Sequence, residues 1–314
     1  MGDSTRRPLV RRRSVLLGIA GFASAALAAC SETANASGTD ADATEEATLP
    51  ASGPATGPAT PPPSIAARSR EQAAAALAPA VPDKQQILAE FAERRPKEWG
   101  LHVTGVVNNS QSRQVALTFD ACGGPGGAAC DQKLLETLRR LNIPATLFLN
   151  SRWIRANQGL SAELAADPLF ELANHGTAHL PLSVNGKSAY GIAGTATASA
   201  AYDELMGNQD VVHELTGTRP RFFRPGTAYY DDVAAAMTRR VGLVPVNFSV
   251  NGDGGATYPA ATVAAEVGRV AAGDIVISHF NRPAGGTAEG YALVLPRLLD
   301  RGIGFGRLSD VLTP

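Results

Sequence analysis

From Gln114 onward, short apolar runs alternate with longer stretches of helical period. The runs predict strands near Val115–Phe119, Ala145–Leu149, Phe170–Ala173, Arg221–Phe223, Leu243–Ser249 and Ile275–Ser278, with a weaker one at Ile303–Phe305. Between them, apolar residues spaced three and four apart predict helices near Asp131–Leu141, Ser161–Ala166, Ala200–Leu215, Asp231–Val241, Ala261–Ala271 and Ala288–Asp300. Strands and helices in strict alternation imply an α/β fold with a parallel sheet. The strands are largely apolar throughout, which suits a sheet covered on both faces. A complete eight-fold barrel would need one more unit, so an incomplete barrel fits better. Pro181 to Ser199 is rich in Gly, Ala and Ser and reads as a loop over one face.

Upstream, a helix is expected from Asp83, with Ile87, Leu88 and Phe91 on one side, a Glu90–Arg94 pair, and Pro96 ending it. Trp99 to Val107 reads as a strand and Asn108-Asn109-Ser110 as a turn. Residues 31–82 are rich in Ala, Thr, Ser, Gly and Pro and lack a sustained apolar period. Such a segment cannot bury enough surface to offset its ordering entropy, so a disordered tether is expected there. In residues 1–30, Arg11-Arg12-Arg13 precede an apolar stretch from Val15 to Ala29, too short for a membrane span and shaped like a signal h-region. Arg12-Arg13-Ser14-Val15-Leu16-Leu17 resembles a twin-arginine export signal. Leu27-Ala28-Ala29-Cys30 resembles a bacterial lipobox, whose cysteine is acylated. The expected organisation is a lipoprotein signal (1–30), a linker (31–82), a helix and strand leading in (83–111) and one domain (112–314). It places the domain in the bacterial cell envelope, outside the cytoplasm, held to the membrane by lipid on Cys30.

Charge narrows the function classes. Removing residues 1–29 takes away five arginines and Asp3, and Glu32, Asp40, Asp42, Glu45 and Glu46 then account for the acidic excess. The folded part is near neutral and offers no basic footprint for nucleic acid.

The chemistry-bearing residues gather at the ends of predicted strands: Asp120 after Thr118-Phe119, His175 and His179, Arg224 before Pro225-Gly226, Asp253 in Asn251-Gly252-Asp253, and His279 after Ile277-Ser278. In α/β barrels, catalysis gathers at the C-terminal ends of the strands. His175 and His179 are four apart; on a helical turn both imidazoles would face one side and take two positions around Zn²⁺. Asp120 precedes a glycine-rich loop and suits a general base. Arg224 needs a carboxylate partner, for which Asp120 is a candidate. Asp253 is a candidate to raise the pKa of His279 and keep it protonated as a general acid. Together these parts describe metal-assisted hydrolysis of an amide or ester.

The ordered set Thr118-Phe119-Asp120, His175-x-x-x-His179, Arg224-Pro225, Asp253 and Ile277-x-His279 resembles the polysaccharide deacetylases, the NodB-homology domains of carbohydrate esterase family 4, over about residues 112–312. The resemblance implies a distorted (β/α)7 barrel and a divalent metal, usually zinc. It also implies removal of acetyl groups from an acetylated polysaccharide such as peptidoglycan. It assigns Asp120 as base, His175 and His179 as metal ligands, Arg224 as the residue orienting the base, His279 as acid and Asp253 as its partner. A monomer is expected. Asn281-Arg282-Pro283 and Gly286 to Gly290 resemble a branch of the family of unclear substrate.

Two departures stand out. The family's second aspartate, its third metal ligand, is Ala121 here, which leaves Asp120, Cys122, Asp253 or water alone for that role. Gly254 and Gly255 follow Asp253 where an aromatic residue is usual, and Tyr229 and Tyr230 are candidate replacements. Cys122 has two readings of interest: a disulfide with Cys130 that closes the glycine-rich loop, or a thiol near the metal. The competing functions are a metal-free glycan-binding lipoprotein and a hydrolase of another non-peptide C–N bond.

Overall fold

The computed structural model describes residues 82–312. The expected signal, lipobox and linker lie outside the described residues. Among the described residues, no helix is long and apolar enough to cross a membrane.

Helix α1 (Lys84–Phe91) is capped by Asp83, whose side chain accepts from the Gln86 amide in a capping box. It ends well before Pro96, and the expected Glu90–Arg94 ion pair forms at 3.2 Å. Strand β1 is confined to Trp99–Gly100. The longer strand expected through Val107 does not form, because Gly105 turns into the left-handed region at φ 93°. Next come β2 (Val115–Ala121), α2 (Gln132–Arg140), β3 (Ala145–Leu149), and two short helices, α3 (Ser151–Ala156) and α4 (Gln158–Ala166). Only the second of these helices was legible in the pattern. Then follow β4 (Phe170–Asn174), α5 (Ala198–Thr216), β5 (Phe222–Phe223), β6 (Tyr230–Asp231) and α6 (Asp232–Arg240). The chain closes with β7 (Val244–Pro245), β8 (Val250–Asn251), α7 (Ala260–Val267), β9 (Ile275–His279), α8 (Thr287–Asp300), β10 (Phe305–Gly306) and α9 (Leu308–Val311). The single strand expected over Leu243–Ser249 is interrupted after Pro245, which has no N–H to give to a ladder. There the Asn247 side chain leaves the sheet to donate to the Leu101 and Ala228 carbonyls.

The principal sheet has the order β7-β5-β4-β3-β2-β9-β8, with β10 added beside β2, and all these pairings are parallel. It curls into a half-barrel, a distorted (β/α)7 architecture. The segment before β2 spans the opening: Val107 bridges Val246 on one side and Asn109 bridges Asp274 on the other. The β1–β6 pair forms a separate antiparallel ribbon.

Side-chain alternation divides the core in two. Along β2, Val115, Leu117, Phe119 and Ala121 pack outward with helix residues such as Leu134, Leu138, Tyr291 and Leu295. Their alternates, Ala116, Thr118 and Asp120, are the inward set. The floor of the barrel is apolar: Ala116, Phe148, Ala173, Ile275 and, from α9, Leu308 and Val311. Polar groups are stacked above that floor, toward the C-terminal ends of the strands.

Candidate active site

A cleft of about 450 Å³ opens at the C-terminal ends of the strands and is lined by Asp120, Cys122, His179 and His279, with Tyr190, Tyr258 and Ile277 around them. Asp120 and His279 are register partners on the adjacent parallel strands β2 and β9, so both side chains face the interior. His175 follows β4, and Arg224 follows β5. Each candidate except His179 and Asp253 therefore hangs directly from a strand end, and those two hang from the adjoining loops.

Arg224 is fully buried and runs down the barrel axis. Its Nη1 donates to Asp120 Oδ1 at 2.8 Å and to Thr118 Oγ1 at 2.9 Å, and its Nη2 donates to the Asn247 carbonyl at 2.9 Å. The guanidinium lies 4.2 Å over the Phe148 ring. Burial alone would push the Asp120 carboxyl up. The Arg224 charge, helped by His175 and His279, outweighs burial and holds it below the ordinary carboxylate value. Asp120 is therefore ionised at neutral pH, with Oδ1 committed to Arg224 and Oδ2 turned toward His175 Nε2, 3.6 Å away.

Asp253, also fully buried, holds His279. Its Oδ1 accepts from His279 Nδ1 at 3.0 Å and from the Gly255 amide. Its Oδ2 accepts from the His279 amide at 2.7 Å and from Thr287 Oγ1 at 3.0 Å. Burial would lower the imidazole pKa, but the Asp253 carboxylate beside it raises it well above the usual histidine value. With Nδ1 spent on Asp253, Nε2 is left for the cleft. Thr287 was missed from sequence; its position at the start of α8, inside the Gly286 to Gly290 stretch, was the only signal.

The two metal-ligand candidates converge, but not by the expected route. Residues 175–180 form a loop with no helical turn. The chain turns at Gly176 (φ 78°) and again at His179 (φ 64°), which brings the imidazole centroids to 4.9 Å. A left-handed histidine is strained unless its surroundings hold it. Buried Glu204 on α5 does so, accepting from the Ala178 amide at 2.9 Å and the Leu180 amide at 3.2 Å. On the other side, Gly226 packs so closely that a Cβ there would overlap the His179 carbonyl. Asn150 donates to the His175 and Gly176 carbonyls, and Asn174 accepts from the Gly176 amide. None of Glu204, Asn150 and Asn174 was anticipated. Asn150 and Asn174 do follow or close predicted strands, a signal that was there to read.

The expected Cys122–Cys130 disulfide is not formed, and both are free thiols. Cys130 packs against the outer helical core, while Cys122 faces the cleft, so the sulfurs serve opposite sides of the sheet. Cys122 Sγ lies 3.8 Å from His175 Nε2, and the donor atoms of Cys122, His175 and His179 all lie within 4.8 Å of one another. Burial pushes the Cys122 thiol up, but the neighbouring His179, together with His175 and His279, outweighs it and brings it well below the usual thiol range. Half-buried Cys130 goes the other way, pushed up to about 12 by burial and the nearby Asp131 and Glu163 carboxylates.

This donor set fits a divalent cation. His175 Nδ1 meets the Arg224 carbonyl at 2.8 Å, and a carbonyl only accepts, so Nδ1 carries the proton and Nε2 presents a lone pair. His179 Nε2 is buried with no hydrogen-bond partner. Asp120, one of the candidates for third ligand in the sequence, lies outside the Cys-His-His set, and its Oδ1 is taken by Arg224.

Comparison with known proteins agrees with the geometry. A family model described as polysaccharide deacetylase matches residues 107–246. That stretch is similar to the polysaccharide deacetylases. Asp253 and His279 fall beyond the matched stretch; the place of His279 in the site rests on the β2–β9 register and that of Asp253 on its hydrogen bonds to His279. Among solved structures, the chain is similar to the carbohydrate esterase family 4 pseudoenzyme BA3943 of Bacillus anthracis, at 19% identity over 68% of this chain and 69% of that one, TM-score 0.55. It is also similar to the Bc1960 peptidoglycan N-acetylglucosamine deacetylase, at 21% identity over 66% of this chain and 92% of that one, TM-score 0.54. A family 4 carbohydrate esterase of Streptomyces lividans gives 23% identity over 63% of this chain and 93% of that one, TM-score 0.51. A curated relative, the uncharacterized protein YlxY of Bacillus subtilis, is 20% identical over 182 residues, 58% of this chain, and the chain spans about half (52%) of its length.

Of the two candidate aromatic platforms, Tyr230 is excluded, because it is buried with its hydroxyl donated to the Phe223 carbonyl. Tyr229 remains, tilted against Trp99 at 5.6 Å and edge-to-face with Tyr190 at 5.4 Å, and Tyr190 is 74% exposed at the cleft rim.

Proposed function

We propose that the chain removes acetyl groups from an N-acetylated envelope polysaccharide, peptidoglycan or a surface glycan, using a divalent metal, zinc by preference. The observation that carries this reading is the pairing of Asp120, held by Arg224, with His279, held by Asp253, in one cleft beside a cluster of metal donors.

His175 and His179 would hold the cation. The chemistry that a divalent metal supplies in such a site is Lewis acidity toward the acetyl carbonyl and a more acidic water. The chain's own groups do the rest. Asp120, fixed through Oδ1 by Arg224, accepts a proton from the attacking water at Oδ2 while a C–O bond forms to the acetyl carbon. His279, held by Asp253, gives its Nε2 proton to the glycan nitrogen as the C–N bond breaks. The products are acetate and a free amine. Tyr190 offers a ring to the sugar at the rim, supported from behind by Tyr229 and Trp99.

Ala121 and the similarity to a pseudoenzyme favour one rival reading, a glycan-binding protein without turnover. The two separate in one assay: acetate release from N-acetylglucosamine oligomers and peptidoglycan fragments by the zinc-loaded chain. Metal-dependent release of equal acetate and amine is expected. Zinc-loaded protein that binds the glycan and releases neither would overturn the enzymatic reading. The envelope location belongs to the same proposal; fatty-acid labelling of the protein in cells, abolished by Cys30→Ala, tests it.

A further inference from the structure

The position that usually carries a metal-binding aspartate holds Ala121, whose methyl packs in the outer core. One residue further on, Cys122 turns back into the cleft on the same side as Asp120. We propose that Cys122, as a thiolate, is the third protein ligand, making this a Cys-His-His centre. The proposal rests on the metal-dependent reading above and goes one step beyond it.

Three observations carry the assignment. The first is distance. A tetrahedral zinc with bonds of about 2.3 Å to sulfur and 2.0–2.1 Å to nitrogen sets its sulfur and nitrogen donors about 3.6 Å apart; Cys122 Sγ and His175 Nε2 are 3.8 Å apart. The second is availability. His175 is almost completely buried, and its Nε2 meets no closer partner than Asp120 at 3.6 Å, while His179 Nε2 is buried and unpartnered. A fully occupied interior seldom leaves one such nitrogen unsatisfied and the other with only a thiol as its hydrogen-bond partner. The third is the loop that places the sulfur. Gly123 (φ 65°) lies so close to α3 that a Cβ there would meet the Trp153 amide at 2.6 Å, and Arg152 donates to the Cys122 carbonyl at 3.2 Å. The sulfur is thus held from behind as firmly as the imidazoles are.

The ligand change has a chemical consequence. Exchanging a carboxylate for a thiolate softens the donor set, which favours Zn²⁺ and disfavours Mg²⁺ and Mn²⁺. It also leaves Asp120 free to act solely as base, since a metal-bound carboxylate is a poor proton acceptor.

Cobalt substitution tests the assignment without reference to turnover. The full chain is stripped of metal, loaded with one Co²⁺, and examined for the near-ultraviolet charge-transfer band that only a thiolate–cobalt bond produces. We expect the band in the wild type and in Cys130→Ser, and its loss in Cys122→Asp with cobalt still bound. Cys122→Ala should weaken Zn²⁺ by more than the roughly 10–100-fold that loss of an outer-shell partner costs. Wild-type protein that binds cobalt without the band would overturn the thiolate ligand and leave the metal-dependent reading standing. A wild type that binds no metal would overturn both.

Discussion

The Arg224–Asp120 pair is the most consequential single contact in the barrel. Arg224→Met keeps most of the side-chain volume and removes only the guanidinium. Both partners are almost wholly buried, at 0% and 3% side-chain exposure, so solvent screening offers little relief. Stripping one partner from a buried ion pair costs about 3–5 kcal/mol, because the other charge is left unpaired. The Asn247 carbonyl also loses its Nη2 donor, worth a further 1–3 kcal/mol or so. The total, about 4–8 kcal/mol, rivals the whole stability of an ordinary domain. With an m-value of roughly 2–3 kcal/mol/M, the urea midpoint of the metal-free protein should fall by about 1.5–4 M. The Arg224→Met/Asp120→Asn double variant should be more stable than the two single losses sum to, by about 2–3 kcal/mol. The pH dependence has a definite sign. Asp120 titrates below its unfolded value, so its contribution is complete above the unfolded pKa and is lost as pH falls through the folded one. Without Arg224 the buried carboxyl titrates above that value instead, so acidification should narrow the gap between wild type and variant. Single losses that add within about 0.5 kcal/mol, or a gap that widens in acid, would refute this account.

Four further outcomes are expected. His279→Ala should lower deacetylation about 10²–10⁴-fold with fold and metal content unchanged, and Asp253→Asn should move the alkaline limb of the pH–rate profile to lower pH, by withdrawing the charge that raises the imidazole pKa; acetate release across a pH series checks both. Gly226→Ala should displace His179 and reduce bound zinc well below one per chain, measured by elemental analysis. Tyr229→Ala should raise KM for a glycan oligomer about 3–10-fold, from a stacking loss of roughly 0.5–1.5 kcal/mol, while kcat on a small acetyl ester stays put.

The barrel was readable because its strands are short, apolar and separated by strong helical periods; β3 was located to the residue. Strand interruptions were not readable where backbone conformation decided them, as at Gly105 and Pro245. The rim candidates stood out because a charged residue at the end of an apolar run has few bland explanations. The scaffolding behind them did not. Glu204, Asn208 and Gln209 look in sequence like the wet face of a long helix, yet all three are buried against the His175–His179 loop and the end of β4. Four-residue spacing suggested a helical turn for the histidine pair, whereas two left-handed residues do the work, and only the Gly176 half of that was visible. The disulfide expectation failed for a related reason: linear closeness of Cys122 and Cys130 says nothing about which side of a sheet each sulfur serves.

Register is what makes base and acid a pair. Residues opposite one another on parallel neighbours point to the same side, with strands about 4.8 Å apart. Asp120 opposite His279 therefore places both groups over the barrel axis. A slip of β9 by one residue would bring Ser278 beside Asp120 and turn His279 out toward α8. That slip is resisted from the outer face: Val276 packs in the helical core, and Ser278 Oγ meets the buried Tyr291 hydroxyl at 2.9 Å. It is resisted again at the top, where Asp253 accepts from both the His279 amide and its ring. Catalytic spacing is thus set by outward-facing residues that never enter the cleft. Repacking Tyr291 or Val276 should accordingly reach catalysis through His279 before it reaches the metal donors, which hang from other strands.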